Sequence, residues 1–210
     1  MTRVTAAVHR LRGIYAIVGE EATDPLALAR TILEAGVRIV QYRAKDRMSE
    51  QHARALRALT YERKALFILN DEWPAVEEFD ADGVHLGPDD AASAELPAIR
   101  KRLQGRILGL SCGTENEARA AQRVGADYIG VGSVYATSSK TDAGEPIGIS
   151  GLRRVAAATA LPVAAVGGIT VHNLAEVAAS GVAMAALLSA FSTSPNPAAA
   201  ARELLDLWPA

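Results

Sequence analysis

Residues 66–73 read LFILNDEW, an apolar run that stops abruptly at Asn70 and Asp71. Four successive apolar residues leave no polar face for water, so the run predicts a strand that is buried on both sides. Such strands are typical of parallel sheets that are covered by helices. An amide and a carboxylate at the end of a buried strand are costly unless they are used. Asn70 and Asp71 are therefore the first candidates for a functional site.

The same pattern recurs along the chain, where short β-rich runs alternate with amphipathic segments such as residues 25–36 and 115–126. The predicted strands are residues 13–18, 37–43, 65–69, 83–87, 106–111, 127–132, 161–167 and 183–189. Eight strand–helix units without a break in composition predict a single (β/α)8 TIM barrel over residues 1–210. A doubly wound open sheet is the alternative, but no glycine-rich dinucleotide motif follows the first strand.

Helix boundaries support this division of the chain. Asp24-Pro25 and Asn196-Pro197 each combine an N-cap residue with a proline in the first turn. Thr114 and Glu117 have the spacing of a capping box. These signals predict helices that begin after residues 24, 114 and 196.

Composition excludes several classes of protein. A formal net charge of −2 argues against a nucleic-acid-binding surface, and no apolar run is long enough for a membrane span. The single cysteine, Cys112, excludes an intramolecular disulfide framework. The first residues, MTRVTAAVHRLRG, lack the apolar segment of a signal peptide. We expect a cytoplasmic protein, with its oligomeric state left open.

The second predicted strand ends in VQYRAK at residues 40–45. In an extended chain Gln41, Arg43 and Lys45 project to one side, while Tyr42 and Ala44 project to the other. An amide, a guanidinium and an ammonium on one face predict a site for phosphate oxygens. A strand end held by salt bridges is an equally good interpretation of this motif alone.

The third strand ends at Asn70-Asp71 and the fourth is followed by Asp89 and Asp90, which we expect on the neighbouring strand. Carboxylates beside a cationic phosphate site indicate Mg²⁺, which takes one or two carboxylates with water and substrate phosphate. The alternative is that Asp71 and Asp90 cap the helices that follow them.

The later strands bring polar groups and glycines to the same edge. Ser111 ends the fifth strand, where it binds a ligand or caps the next helix. The long loop after the sixth strand contains Thr137, Ser139 and Lys140, suited to a second phosphate. In barrels a phosphate site commonly lies after strands seven and eight, here near Gly167-Gly168 and Leu188-Ser189. His85, inside the fourth strand, is interpreted as a hydrogen-bonded core or rim residue.

Taken in order, these motifs resemble those of the thiamine-phosphate synthase family from the second strand to the last. They are QYRAK, ND, GVHLGPDD, LGLS, GADYIGVGSVYATSSK, VAAVGGIT and LLSA. The resemblance implies a transferase that joins 4-amino-2-methyl-5-(diphosphooxymethyl)pyrimidine to 4-methyl-5-(2-phosphooxyethyl)thiazole, or its carboxylate, releasing diphosphate. It also implies that diphosphate leaves first and that the thiazole nitrogen captures the pyrimidinylmethyl cation.

The resemblance assigns roles to individual residues. Arg43, Lys45 and Lys140 would act catalytically by stabilising the departing diphosphate. The pyrimidine diphosphate would be bound by Gln41, Tyr42, Arg43, Ala44, Lys45, Asn70, Ser111 and Lys140; the thiazole phosphate by Thr137, Ser138, Ser139, Gly168, Leu188 and Ser189; and Mg²⁺ by Asp71 and Asp90.

Three positions depart from the family pattern. Pro88 stands where a glutamine is usual, Gly113 where many members have a histidine, and Ser139 where a threonine is common. None of these changes removes a charged catalytic group. Two alternatives remain: a thiazole tautomerase of the same fold, which has less use for paired aspartates, and a non-catalytic phosphate-binding barrel.

Overall fold

The computed structural model describes residues 7–44, 47–88, 95–137, 139 and 144–209. Its strands are β1 (Gly13–Gly19), β2 (Ile39–Arg43), β3 (Leu66–Asn70), β4 (Gly83–Leu86), β5 (Ile107–Cys112), β6 (Tyr128–Val131), β7 (Val163–Val166) and β8 (Met184–Leu187). All eight are parallel and follow one another around a closed barrel, with β8 paired to β1. Each strand overlaps one of the predicted runs, so the predicted TIM barrel is confirmed.

Beyond a short helical segment at residues 7–8, the helices of the described residues lie between the strands and after the last one. They are α1 (Pro25–Ala35), α2 (Glu50–Glu62), α3 (Leu96–Arg102), α4 (Glu115–Val124), α5 (Gly148–Ala156), α6 (Leu174–Ala178), α7 (Ser189–Ser192) and α8 (Pro197–Leu207). A short 3-10 helix, Trp73–Ala75, lies between β3 and β4. Short helices and short connections explain how eight units fit into 210 residues.

The predicted helix starts are confirmed by their hydrogen bonds. The Asp24 side chain accepts from the backbone of α1, and Asn196 does the same for α8. Thr114 and Glu117 form a complete capping box at α4. Each cap satisfies backbone N–H groups that the helix itself leaves unpaired, and so fixes the residue at which the helix begins.

Alternation within the strands sorts side chains into two apolar layers. In β3, Phe67 and Leu69 pack outward into the large core beneath the helices. Leu66 and Ile68 point into the barrel and fill its amino-terminal half. The same alternation turns Asn70 inward at the carboxyl end. Polar residues at inward-facing positions near the carboxyl ends of the strands therefore meet inside the mouth of the barrel.

No helix in the described part of the chain is both long and apolar enough to cross a membrane.

Candidate active site

A cavity of about 430 Å³ opens at the carboxyl ends of the strands and is lined by residues from all eight. This is the face on which TIM barrels carry their chemistry. Most of the described candidate residues meet there. Those that line the cavity are Gln41, Arg43, Asn70, Asp71, Ser111, Thr137, Ser139, Gly168, Leu188 and Ser189.

The other candidates do not share this placement. Lys45, Asp90, Ser138 and Lys140 lie outside the described residues. Tyr42 and Ala44 are described but are not among the residues that line the cavity.

Tyr42 points away from the cavity into the outer core, where it is 1% exposed. Its hydroxyl donates to the Glu20 carboxylate and accepts from the backbone N–H of Ser49 at 3.3 Å. His52 Nδ1 lies 3.0 Å from the same carboxylate. Burial, with the Glu20 hydrogen bond, raises the pKa of the Tyr42 phenol well above its usual range. The tyrosine therefore anchors the connection between β2 and α2 to the end of β1.

Arg43 lines the cavity and contains a buried nitrogen without a hydrogen-bond partner in the described part of the chain. Its Nη1 is buried and has no hydrogen-bond partner in the described part of the chain. A buried N–H group without an acceptor costs about 1–3 kcal/mol, and more when it is charged. The salt-bridged strand end, which was the alternative interpretation of the motif, would have supplied a carboxylate to this atom.

Asp71 links β3 to the loop after β4. Its Oδ1 accepts from the backbone N–H of Gly87 at 2.8 Å, and Asn70 Nδ2 donates to Oδ2. Its own N–H donates to the carbonyl of His85 at 2.9 Å, and its φ of 62° is left-handed. A left-handed aspartate between two strands is a strained feature of the kind that occurs at functional sites.

Asp71 does not cap the short helix that follows it, as the alternative interpretation required. The turn that follows begins after Glu72 and has no side-chain cap. Among the described residues, no group of three or more His, Cys, Asp or Glu side chains is arranged to hold a metal ion. A cation bound at Asp71 would therefore need most of its ligands from elsewhere.

Below these groups, five polar side chains form one continuous hydrogen-bonded chain, called here the floor chain. Gln41 Nε2 donates to the Tyr15 hydroxyl at 2.9 Å, and the hydroxyls of Tyr15 and Tyr128 are 2.8 Å apart. His85 Nδ1 lies 3.0 Å from the Tyr128 hydroxyl, and its Nε2 lies 3.0 Å from Ser111 Oγ. The chain crosses the barrel from β2 to β5 through β1, β6 and β4.

Sequence reasoning missed two members of the floor chain. Tyr15 and Tyr128 are not among the residues predicted for the site, although each lies two positions before a residue that lines the cavity, Ile17 and Gly130. Because residues two positions apart in a strand face the same side, this spacing could have predicted that both tyrosines point into the barrel. His85 is hydrogen-bonded as expected, but it also lines the cavity. Ser111 contacts His85 rather than capping α4, which is capped by Thr114.

The side formed by β7 and β8 is made of backbone and small side chains. Gly167 and Gly168 have φ values of 96° and 65°, which favour glycine. The Gly168 carbonyl accepts from Asn173 Nδ2 at 3.0 Å. Within the described residues, the backbone N–H groups of Gly168 and Ser189 have no hydrogen-bond acceptor, and both residues line the cavity.

Two further cavity residues have structural roles. Glu117 Oε2 accepts from the N–H groups of Gly113 and Thr114, at 2.6 and 3.0 Å, as part of the capping arrangement. Burial, and secondarily the Glu117 charge, raises the pKa of the Cys112 thiol to about 12. The thiol therefore stays protonated near neutral pH and is a poor nucleophile.

Comparisons with known proteins agree with the resemblance seen in the motifs. The family model described as thiamine monophosphate synthase matches residues 14–191. Thiamine-phosphate synthase from Archaeoglobus fulgidus is 46% identical over 185 residues, covering 86% of this chain and 85% of the relative. The Moorella thermoacetica thiamine-phosphate synthase is 43% identical, with 87% of each chain covered.

A solved structure gives the same result. Thiamine phosphate pyrophosphorylase from Pyrococcus furiosus superposes with a TM-score of 0.85 at 32% identity, covering 94% of this chain and 95% of that one. The matches extend over the strands and loops that build the cavity. The chain therefore belongs to the thiamine monophosphate synthase family.

Proposed function

We propose that the cavity joins 4-amino-2-methyl-5-(diphosphooxymethyl)pyrimidine to the thiazole phosphate, as a thiamine-phosphate synthase, and that its two sides divide the work. The β2–β4 side would hold the diphosphate that leaves. The β7–β8 side would hold the phosphate that remains in the product. The two strand groups carry different chemical groups, which supports this division.

The observation that carries the proposal is the unpartnered Nη1 of Arg43. A diphosphate oxygen would supply the missing acceptor, and the planar guanidinium suits phosphate because it donates two parallel hydrogen bonds. Asn70, on the adjacent strand β3, lines the same cavity and has further hydrogen-bonding capacity. Lys45 and Lys140 would add positive charge, on the basis of the family motif.

Asp71 is suited to Mg²⁺ in its donor chemistry. Each of its carboxylate oxygens receives one hydrogen bond and retains a lone pair. Mg²⁺ needs only one or two carboxylates because water and substrate phosphate complete its coordination. Asp71, together with Asp90, would hold the ion. When bound, the ion would supply positive charge opposite the developing charge of the diphosphate.

On the opposite side, the N–H groups of Gly168 and Ser189 would donate to the thiazole phosphate. Main-chain amides near helix starts bind phosphate without a permanent charge, and glycine allows the anion to approach the backbone. Thr137 and Ser139 line the cavity nearby and offer hydroxyl donors. This assignment gives the monophosphate a weaker electrostatic environment than the diphosphate.

The bond changes require no protein nucleophile. The C–O bond between the pyrimidine methylene and the diphosphate breaks, and its electron pair leaves with the diphosphate. The lone pair of the thiazole nitrogen then forms the new C–N bond. Neither step transfers a proton, so no general base is needed. The protein's contribution is to place both rings and to stabilise the leaving group.

The proposal is tested by assaying diphosphate and thiamine phosphate together, with Mg²⁺ and with EDTA. We expect one diphosphate per thiamine phosphate, and loss of both products in EDTA. A parallel assay follows isomerisation of a carboxylated thiazole in the absence of pyrimidine. Isomerisation without condensation would assign the cavity to a tautomerase. Binding of both substrates without any reaction would make it a non-catalytic phosphate-binding barrel.

A further inference from the structure

The side chain of Asn173 does not do what its position suggests. Asn173 occupies the N-cap of α6, where asparagine is a preferred residue because its oxygen accepts from the helix backbone. Within the described residues, Asn173 makes no such bond to α6. Asn196, at the N-cap of α8, does accept from its helix, from the N–H of Ala199 at 3.1 Å. The Asn173 amide is therefore used elsewhere.

Both polar atoms of the Asn173 side chain bind the loop that precedes α6. Its Oδ1 accepts from the N–H of Thr170 at 2.8 Å, and its Nδ2 donates to the carbonyl of Gly168 at 3.0 Å. A backbone N–H can only donate and a carbonyl can only accept, so these partners allow one orientation of the amide. The Gly168 carbonyl is thereby held toward Asn173.

The direction of the Gly168 carbonyl determines the direction of the next N–H. The peptide between Gly168 and Ile169 is trans, and in a trans peptide the C=O and N–H groups point in opposite directions. The Ile169 N–H therefore points away from Asn173. Among the described residues, Ile169 lines the cavity and Asn173 does not, and the Ile169 N–H has no hydrogen-bond acceptor.

The preceding peptide has the same arrangement. The Gly167 carbonyl accepts from the N–H of Tyr135 at 3.0 Å, so the Gly168 N–H points away from Tyr135, which is also not part of the cavity lining. Two successive carbonyls are thus bound by groups outside the cavity. The two N–H groups that follow them both lack an acceptor in the described part of the chain. Successive backbone N–H groups in turns are a common basis of anion sites.

We infer that the Ile169 N–H is a further donor to the monophosphate, beside the Gly168 N–H, and that Asn173 is the positioning residue that turns it toward the cavity. The inference rests on the proposed function, which assigns the thiazole phosphate to this side. Asn173 acts through the peptide between Gly168 and Ile169, and not by contact with the phosphate.

This peptide needs a residue to hold it because glycine precedes it. Gly168 has no Cβ, so the peptide after it can rotate at little cost. A rotated peptide would turn the carbonyl oxygen toward the phosphate and the N–H away from it. The Ile169 side chain is 4% exposed and packs in the outer core, which fixes the residue but not the orientation of its N–H. The bond from Asn173 selects the orientation that binds an anion.

The direct test follows the amide protons of Gly168 and Ile169 by NMR during titration with inorganic phosphate. An amide proton that donates to phosphate moves downfield, and we expect both to move in the wild type. In Asn173→Ala the Gly168 proton should still move, because Tyr135 still holds its peptide, whereas the Ile169 proton should not. An Ile169 proton that does not move in the wild type would overturn the inference.

Kinetics measure the size of the effect. We expect Asn173→Ala to raise the KM for thiazole phosphate about 3- to 10-fold, the scale of one neutral hydrogen bond, with kcat and the KM for the pyrimidine diphosphate unchanged. Asn173→Asp keeps the acceptor for Thr170 but loses the donor to Gly168, so it should raise the same KM at least as much. Because Asn173→Ala carries no charge, a rise shared by both variants comes from the lost donor rather than from repulsion of the phosphate. A wild-type KM in Asn173→Asp would overturn the inference.

Asn196→Ala is the matched control, since it removes the same side chain from an N-cap position that lies away from the cavity. It should lower the Tm through loss of the cap and leave both amide shifts and both KM values at their wild-type level. If Asn173→Ala lowered the Tm in the same way and changed nothing else, Asn173 would have a structural role alone and the inference would fail.

The phosphate titration requires neither pyrimidine nor turnover, so it separates this inference from the proposed function. A wild type that shows both amide shifts but forms no thiamine phosphate would keep the two-amide site and reject the synthase assignment. A wild type that forms thiamine phosphate while the Ile169 proton stays in place would do the opposite. If Asn173→Ala does not fold, Asn173→Asp decides, because it retains the bond to Thr170.

Discussion

The two sides of the cavity are built from different chemical groups. The β2–β4 side contributes Arg43 and Asp71, both charged and both held at the ends of buried strands. The β7–β8 side contributes Gly168 and Ser189, where backbone N–H groups replace charged side chains. A leaving diphosphate gains charge as its bond breaks, whereas a retained monophosphate only has to be held. The difference supports the proposed assignment of the diphosphate to the β2–β4 side and of the monophosphate to the β7–β8 side.

Replacing Asp71 with asparagine should produce the largest effect. The amide keeps an oxygen for the Gly87 N–H, so the link from β3 to β4 is preserved while the charge is removed. We expect kcat/KM to fall about 10²- to 10³-fold, the scale of one preorganised electrostatic group. The Mg²⁺ concentration that gives half-maximal activity should rise, and the KM for thiazole phosphate should change little.

Glu78→Gln is the matched control for Asp71→Asn. Glu78 is 55% exposed and pairs with Arg54 on the surface, an interaction worth under about 1 kcal/mol. Glu78→Gln should leave kcat and the KM for each substrate unchanged. Full activity and unaltered Mg²⁺ dependence in Asp71→Asn would reduce Asp71 to a structural connection between two strands.

Arg43→Lys tests the same side with the charge retained. Lysine cannot make the two parallel hydrogen bonds of a guanidinium. We expect a loss of about 10- to 100-fold in kcat/KM for the pyrimidine diphosphate, because a hydrogen bond to a charged group contributes about 1.5–3 kcal/mol. The affinity for inorganic diphosphate, measured by titration of the enzyme, should weaken in parallel. An unchanged diphosphate affinity would remove Arg43 from the binding site.

The β7–β8 side is tested by Gly168→Ala. A Cβ there would lie 2.5 Å from the carbonyl oxygen of Ala136, so the loop after β6 must move. We expect the KM for thiazole phosphate to rise about tenfold, the equivalent of one lost neutral hydrogen bond. The KM for the pyrimidine diphosphate should rise much less. Equal effects on both substrates would mean that the glycine supports the barrel rather than the phosphate.

Gly181→Ala controls for the backbone conformation alone. Gly181 has a φ of 83°, similar in sign to the 65° of Gly168, but no atom lies within 4 Å of its added Cβ. Alanine there carries the cost of a left-handed residue, about 1–2 kcal/mol. The free energy of unfolding of Gly181→Ala should fall slightly, while both KM values stay at their wild-type level.

The contrast between the two sides of the cavity also explains which features could be predicted from the sequence. The strands and helix caps were predictable because their signals are local, as in the apolar run ending at Asn70 or the Thr114–Glu117 box. Arg43 and Asp71 were predictable because parallel strands bring their ends to one edge. The charged side of the cavity therefore follows from pattern and topology.

The floor chain and the conformation of Asp71 could not be read in the same way. Tyr15 and Tyr128 are 113 residues apart, and their contact depends on the shear of the closed barrel. A tyrosine in a strand is also typical of ordinary β structure. Asp71 contacts Gly87, 16 residues away, from a left-handed backbone conformation that no residue type next to it in the sequence predicts.

The smallest expected effect concerns stability rather than rate, and it compares two arginines. Arg43→Met removes a buried N–H that has no partner, so the ligand-free protein should gain about 1 kcal/mol, or about 2–4 °C in Tm. Arg57→Met should lose about 1–3 kcal/mol, since Arg57 is 15% exposed and pairs with Asp80 at 2.7 Å and Asp82 at 3.2 Å. Thermal unfolding with and without inorganic diphosphate measures both effects. Diphosphate should raise the Tm of the wild type and of Arg57→Met, because a ligand that binds only the folded state stabilises it, but not that of Arg43→Met. A lower Tm for Arg43→Met without ligand would mean that the guanidinium stabilises the empty barrel, and the argument from its unpaired nitrogen would fail.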